Sequence, residues 1–354
     1  MFTLTSLLLL AGSFTPTPDP ALLRARADDD AQARVAVIEA VLDALNENYV
    51  FPEVATEMIN AVRAKLDAGG YDKVGAGEVL ARVLTADLRD VCHDLHLSVR
   101  YSLEDTGATG NGPSPADLRR EQAERSRRAN YGFERVECLP GNIGLLRMSS
   151  FSDGPQAFAA ASAAMNLLAN TDALIVDLRQ NGGGSPAMVA YLSTYLFGDE
   201  PVHLNSLYEP RRDYTHQWWT LPQVPGARFG GDKPVYVLTS RRTFSAAEEY
   251  TYNLKCRDRA VIVGRTTGGG AHPVDRVVVT PHFVVWLPFA RAINPITGTN
   301  WEGTGVAPDI HVNADQALIF AQLEALTEIM ESAVGDEFGE QLMGRRDELE
   351  RSLD

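Results

Sequence analysis

Cysteine is scarce: Cys92, Cys138 and Cys256 are the only three in 354 residues, far apart and in no CxxC pair. An odd, scattered set builds neither a disulfide framework nor a zinc ribbon, and buried free thiols are the expectation. The seven histidines contain no HExxH, and His93 and His96 are the only close pair, so neither a metal nor an organic cofactor is expected. Positive charge is in deficit, with 32 Lys and Arg against 47 Asp and Glu for a net charge of −15. That balance argues against nucleic acid or an anionic membrane surface as partner. No apolar run approaches the length of a membrane-spanning helix. GxGxxG and GxxxxGK[ST] are both absent, which speaks against a nucleotide-binding loop.

What remains is a chain of ordinary apolar content, long enough for a substantial core and roughly two domains. Residues 1–20 carry a short apolar run, Leu7 to Ala11, then Gly12-Ser13 and a Pro/Thr-rich stretch. This reads as a short secretory signal and linker, although no Lys or Arg precedes the run. Secretion or export to a periplasm is the expectation, with the cytoplasm as the alternative.

Residues 28–129 read as a small helical N-terminal domain. Val35, Val37, Ile38, Val41, Leu42 and Leu45 recur at helical steps, as do Val83, Leu84 and Leu88. Pro52 ends the first helix, because proline disfavours helix at the residue before it. The segment VCHDLHLSVRY then alternates like a strand, with His96 at its entrance and Asp94 two residues earlier. A lone histidine there is more often structural than catalytic until a partner is found. Residues 102–129 read as a polar loop and an exposed, charged helix.

From residue 130 to 313 strand, glycine turn and helix repeat, the signature of α/β layering. ALIVDLR runs into QNGGGSP, and VYVL runs through TSRRTF into Ser245 and a helix. Both strands are continuous apolar runs, as strands buried on both faces are. Ser245 sits where strand breaks into helix: as a mere cap, or beside free N–H groups that would meet an anion. The glycine turn at 182–184 suits an oxyanion better than a phosphate. Glu302, in a glycine-rich loop, reads on its own as a solvated carboxylate. An aromatic-rich segment, Tyr208 to Trp219, lines a pocket or packs as a lid. Residues 314–354 read as C-terminal helices.

The colinear segments DLHLSV, NYGFERVECLPGNIGLLRM, ALIVDLRQNGGGSP, KPVYVLTSRRTFSAAEEYTYNLK, RAVIVGRTTGGGAHP and INPITGTNWEGTGVAPDI resemble the C-terminal processing, or tail-specific, serine peptidase family. The likeness is nearest to its branch of tricorn core and interphotoreceptor retinoid-binding protein modules. The resemblance implies a crotonase-like ββα spiral for the second domain behind a helical N-terminal domain. It implies Ser245 as nucleophile, His96 as base and Glu302 as the acid orienting it, with Gly182, Gly183 and the N–H of Ala246 as oxyanion hole. It also implies peptides or unfolded segments as substrates, and a homo-oligomer by analogy with relatives. Two departures stand out. The turn where the processing branch carries a lysine base is Thr267-Gly268-Gly269-Gly270-Ala271, and Leu95 replaces the serine before the tricorn-like histidine. Too few residues separate His96 from Tyr131 for a PDZ domain. The alternative from another class is a catalytically weak binding module for an apolar ligand such as a retinoid or fatty acid.

Overall fold

The computed structural model describes residues 20–107, 114–332 and 337–353; the expected signal segment therefore lies outside the described residues, apart from Pro20. The N-terminal part contains α1 (Pro20–Asn48), α2 (Pro52–Asp67), α3 (Glu78–Cys92), β1 (Ser98–Tyr101) and α4 (Pro115–Arg128). There follow β2 (Phe133–Leu139), β3 (Ile143–Met148), α5 (Pro155–Leu168), β4 (Ala173–Asp177) and α6 (Pro186–Thr194). Next are β5 (His203–Glu209), β6 (Tyr214–Trp219), β7 (Val235–Thr239), α7 (Ala246–Lys255) and β8 (Val261–Gly264). The remainder is β9 (Val274–Thr280), β10 (Phe283–Pro288), β11 (Arg291–Ile293), β12 (Ile310–His311), α8 (Ala317–Ser332) and α9 (Glu337–Arg351). The fold is mixed α/β with a helical N-terminal region, and among the described residues there is no PDZ domain and no helix long and apolar enough to cross a membrane.

A six-stranded sheet in the order β12-β8-β7-β4-β3-β2 forms the centre, parallel except where β2 pairs antiparallel with β3. Every residue of β4 and β7 is buried. Their alternation divides the core in two. Leu174, Val176, Val235 and Val237 pack against α5, α6 and α7, whereas Ala173, Ile175, Tyr236 and Leu238 pack against α8 and α9. Both strands end at the same edge, so the glycine turn after β4 and the turn before α7 meet there, at the carboxyl ends where open parallel sheets bind ligands. Side chains stitch the two turns together: Thr243 Oγ1 donates to the Leu178 carbonyl at 2.8 Å and Ser240 Oγ to that of Arg179 at 2.6 Å.

Proline stops α1 and starts α2, standing at the first helical position where its missing N–H costs nothing. Ile38, Val41, Leu42 and Leu45 turn inward as their spacing predicts, while Val35 is 42% exposed. The helices do not close on themselves. β1 pairs antiparallel with β10, Val99 opposite Val285, and β10 pairs with β9. Phe283, Val285 and Leu287 thus share one core with α1, α2 and α3. A hairpin from far along the chain completes the helical layer and pins the segment holding Asp94 and His96 against residues 270–272. The Tyr208–Trp219 segment is mostly an antiparallel hairpin, β5–β6, with β11 on its other edge; β6 faces largely outward.

Leu287 is fully buried in this shared core. Leu287→Ala should lower the unfolding free energy by about 2–5 kcal/mol in urea titrations; a loss under about 1 kcal/mol would show that the hairpin does not hold the helical layer.

Candidate active site

Ser245 caps α7 with φ 55° and ψ −123°, a left-handed conformation costly for any residue with a Cβ. Its amide donates to Glu248 Oε2 at 2.9 Å, one half of a capping box. Glu248 is fully buried and does more than cap. Its Oε1 also accepts from Thr267 Oγ1 at 2.5 Å and Gly269 N at 2.6 Å, and its Oε2 from Gly270 N at 2.9 Å. Four donors fill the acceptor capacity of one carboxylate. Burial pushes its carboxyl up while these donors pull it back down. In the sequence, the pattern Ser-Ala-Ala-Glu, a capping-box signature, is the local signal for this contact.

Gly183 lies against the turn, with φ +104°. A Cβ on it would stand 2.8 Å from the Ser245 Cβ and 2.9 Å from Ala246 N, so only glycine permits this approach. The proposed oxyanion donors are not equally placed. Ala246 N–H belongs to a first helical turn, where no intrahelical acceptor exists. Gly182 is exposed at the turn, whereas Gly183 N–H donates to Asn181 Oδ1 at 2.9 Å and is committed there.

His96 reaches the site from the helical layer. Arg89 holds its segment by donating to the Leu97 carbonyl at 2.8 Å and the Leu95 carbonyl at 2.5 Å, and His96 N donates to Asp94 Oδ1 at 2.9 Å. The imidazole packs on the Phe244 ring, centroids 4.6 Å apart, and its Cε1 lies 2.6 Å from where a Cβ on Gly270 would begin. Its side chain is 9% exposed and neither nitrogen has a hydrogen-bond partner, so no hydrogen bond joins it to Ser245 here. Desolvation lowers its pKa to about 4, against the pull of Asp94. His93, by contrast, is an exposed left-handed cap of α3.

Glu302 comes to the same place but contacts other groups first. Its Oε2 accepts from Ala271 N at 2.5 Å and lies 3.4 Å from His272 Nδ1, while Oε1 is buried without a partner. His272 Nδ1 stands 2.7 Å from Asp94 Oδ2. Burial, reinforced by the Asp94 charge, pushes the Glu302 carboxyl above the ordinary carboxylate range, with His272 acting against this. Asp94, His96, His272 and Glu302 thus form one buried cluster in which His272, not His96, makes the short carboxylate contacts. No sequence motif marked His272 for that place.

A profile of peptidase family S41 matches residues 142–312, and a profile of the N-terminal domain of S41 peptidases in eukaryotic IRBP matches residues 31–129. The chain belongs to peptidase family S41. It is an S41-family serine peptidase with an IRBP-type N-terminal domain, a class whose substrates are peptides. Solved structures share the fold. A candidate peptidase from Parabacteroides merdae superposes with a TM-score of 0.54 at 19% identity, covering 79% of this chain and 90% of that one. A lipoprotein from Streptococcus agalactiae gives 0.53 at 16% identity, covering 82% and 95%. The tricorn protease gives 0.50 at 14% identity, covering 92% of this S41 chain and 37% of its own.

Folded His96 titrates near 4 and an unfolded imidazole near 6.5, so the unfolded chain binds more protons between those values. Acidification from pH 6.5 to 4 should therefore remove about 3 kcal/mol of stability that His96→Gln does not lose. The imidazole Hε1 resonance should titrate well below 6; a midpoint at or above 6.5 would contradict the buried placement.

Proposed function

We propose that the protein is an endopeptidase acting on peptides or unfolded protein segments through an acyl-enzyme on Ser245, with His96 as base. The observation that carries this reading is the backbone of Ser245. A left-handed residue at a strand-to-helix turn costs about 1–3 kcal/mol, and such strain persists only where surrounding structure over-determines it. Glu248 supplies that over-determination here.

In the proposed reaction His96 takes the Ser245 hydroxyl proton as Oγ attacks the scissile carbonyl. The carbonyl oxygen becomes an oxyanion facing the N–H groups of Ala246 and Gly182; Gly183 joins only if Asn181 releases it. His96 then gives its proton to the leaving amine, and water repeats the sequence to free the acyl group. Glu302 and Asp94 stabilise the imidazolium by charge, since both lie within 4.8 Å of a His96 nitrogen. Catalytic hydrogen bonds are often long before substrate arrives, which accommodates the unformed Ser245–His96 contact. The imidazole fills space beside Gly270, in the 267–271 turn where relatives of the processing branch present a lysine.

A cavity of about 1540 Å³ is lined by α4, the Phe151–Gly154 segment, and Gly184 and Ser185 at the 182–184 turn. Its open mouth gives a peptide access from solvent. The apolar-carrier reading draws on one observation, the unpartnered His96, and the same experiment separates the two.

A fluorophosphonate probe should label the wild-type protein at Ser245 and fail on Ser245→Ala. His96→Ala should lower peptide turnover nearly as far as Ser245→Ala, because residues acting as a unit are not additive. Labelling that survives in Ser245→Ala would remove the nucleophile assignment. Near-native turnover of His96→Ala would move the base to His272. No labelling at all, together with saturable retinol binding, would favour the carrier.

A further inference from the structure

Three side chains of the cluster converge on one place. One nitrogen of His96 and one oxygen each of Asp94 and Glu302 lie within 4.8 Å of one another. Both nitrogens of His96 and Oε1 of Glu302 are buried and unpartnered, although buried polar groups are almost always satisfied. The His96 side chain is 91% buried and that of Asp94 is 1% exposed, so water does not supply the missing partners freely.

The donor set narrows what could sit there. One imidazole nitrogen and two carboxylate oxygens suit a borderline divalent ion of the zinc class, whereas calcium and magnesium favour sets of oxygen alone. A divalent charge would also offset two carboxylates converging on one point. Ligands about 2.1 Å from zinc lie about 3.4 Å from one another, so the three side chains need to draw in by about 1 Å. The His96 ring makes no hydrogen bond, so drawing it inward breaks none. His272 Nδ1, 2.7 Å from Asp94 Oδ2 and 3.4 Å from Glu302 Oε2, bridges both carboxylates and orients them, as outer partners of metal ligands do. Glu302, with its side chain 18% exposed, is the side from which an ion enters.

The geometry points to a zinc-class cation site formed by Asp94, His96 and Glu302, whose occupancy takes the imidazole from Ser245 and holds the peptidase off. The binding half stands on the cluster alone; the inhibitory half rests on the assignment of His96 as base.

The test uses full-length protein stripped with EDTA and titrated with cobalt(II), whose visible absorption reports low coordination number directly. Ser245→Ala protein should bind one equivalent, giving an absorption band that zinc displaces. His96→Gln and Glu302→Gln should each weaken that binding at least tenfold, and His272→Gln by about 10–100-fold as an outer partner. In wild type, zinc should abolish fluorophosphonate labelling over the same concentration range, reversibly with EDTA. Absence of the band, or a band indifferent to both ligand variants when circular dichroism shows them folded, would overturn the site. A zinc-displaceable band with labelling unchanged by zinc would overturn the inhibitory role. Failure of the peptidase assignment itself would appear separately, as no labelling of metal-free wild type while the cobalt band persists.

Discussion

The carboxylate of Glu248 accepts hydrogen bonds from Ser245 N, Thr267 Oγ1, Gly269 N and Gly270 N in a place with no exposure to solvent. A buried carboxylate without such donors would be costly enough to neutralise or to disrupt the fold. With them it acts as a rigid joint: the first turn of α7 cannot move relative to residues 267–270 without stripping partners from a charge. The joint extends outward, because Gly269 O accepts from Gly303 N at 3.0 Å and Gly270 O from Trp301 Nε1 at 2.7 Å. Ser245 and Glu302, 57 positions apart in the chain, are in this way parts of one hydrogen-bonded unit.

The imidazole side of the site depends on a different constraint, the sharing of a core between the N-terminal helices and the β9–β10 hairpin. His272 lies two residues before β9, and Asp94 and His96 lie just before β1, whose partner is β10. Pairing of those strands therefore carries His272 to Asp94. Hydrophobic burial in one layer thus sets the position of ionisable groups at the boundary with the other, and the serine is presented from the far side of that boundary by the six-stranded sheet.

Much of this was legible from local pattern. β4 and β7 announce themselves as unbroken apolar runs because both faces are covered, and the break at Ser245 follows from a strand that has nowhere to continue. Pro52 marks the boundary between α1 and α2 by the chemistry of its own ring. What could not be read is what depends on distant partners. Nothing near Glu248 in the chain indicates that residues 267–270 will donate to it. His272 lies in one of the family-like segments, RAVIVGRTTGGGAHP, but nothing in it assigns the histidine a partner, and its contact with Asp94 spans 178 positions. The direction of the Gly183 amide, toward Asn181 and away from the expected oxyanion, is a detail of turn geometry that residue types do not specify. Membership of the β9–β10 hairpin in the helical layer follows from tertiary pairing alone.

Replacing Glu248 by glutamine tests the joint directly, because the amide nitrogen would set its own N–H groups against one pair of donors while the shape is kept. The measurement is the second-order rate constant for fluorophosphonate modification of Ser245 in folded Glu248→Gln protein beside wild type. Loss of charge-assisted hydrogen bonds worth about 1.5–3 kcal/mol should slow modification by about 10–150-fold. A rate equal to wild type would contradict the claim that this carboxylate holds Ser245 in its reactive place.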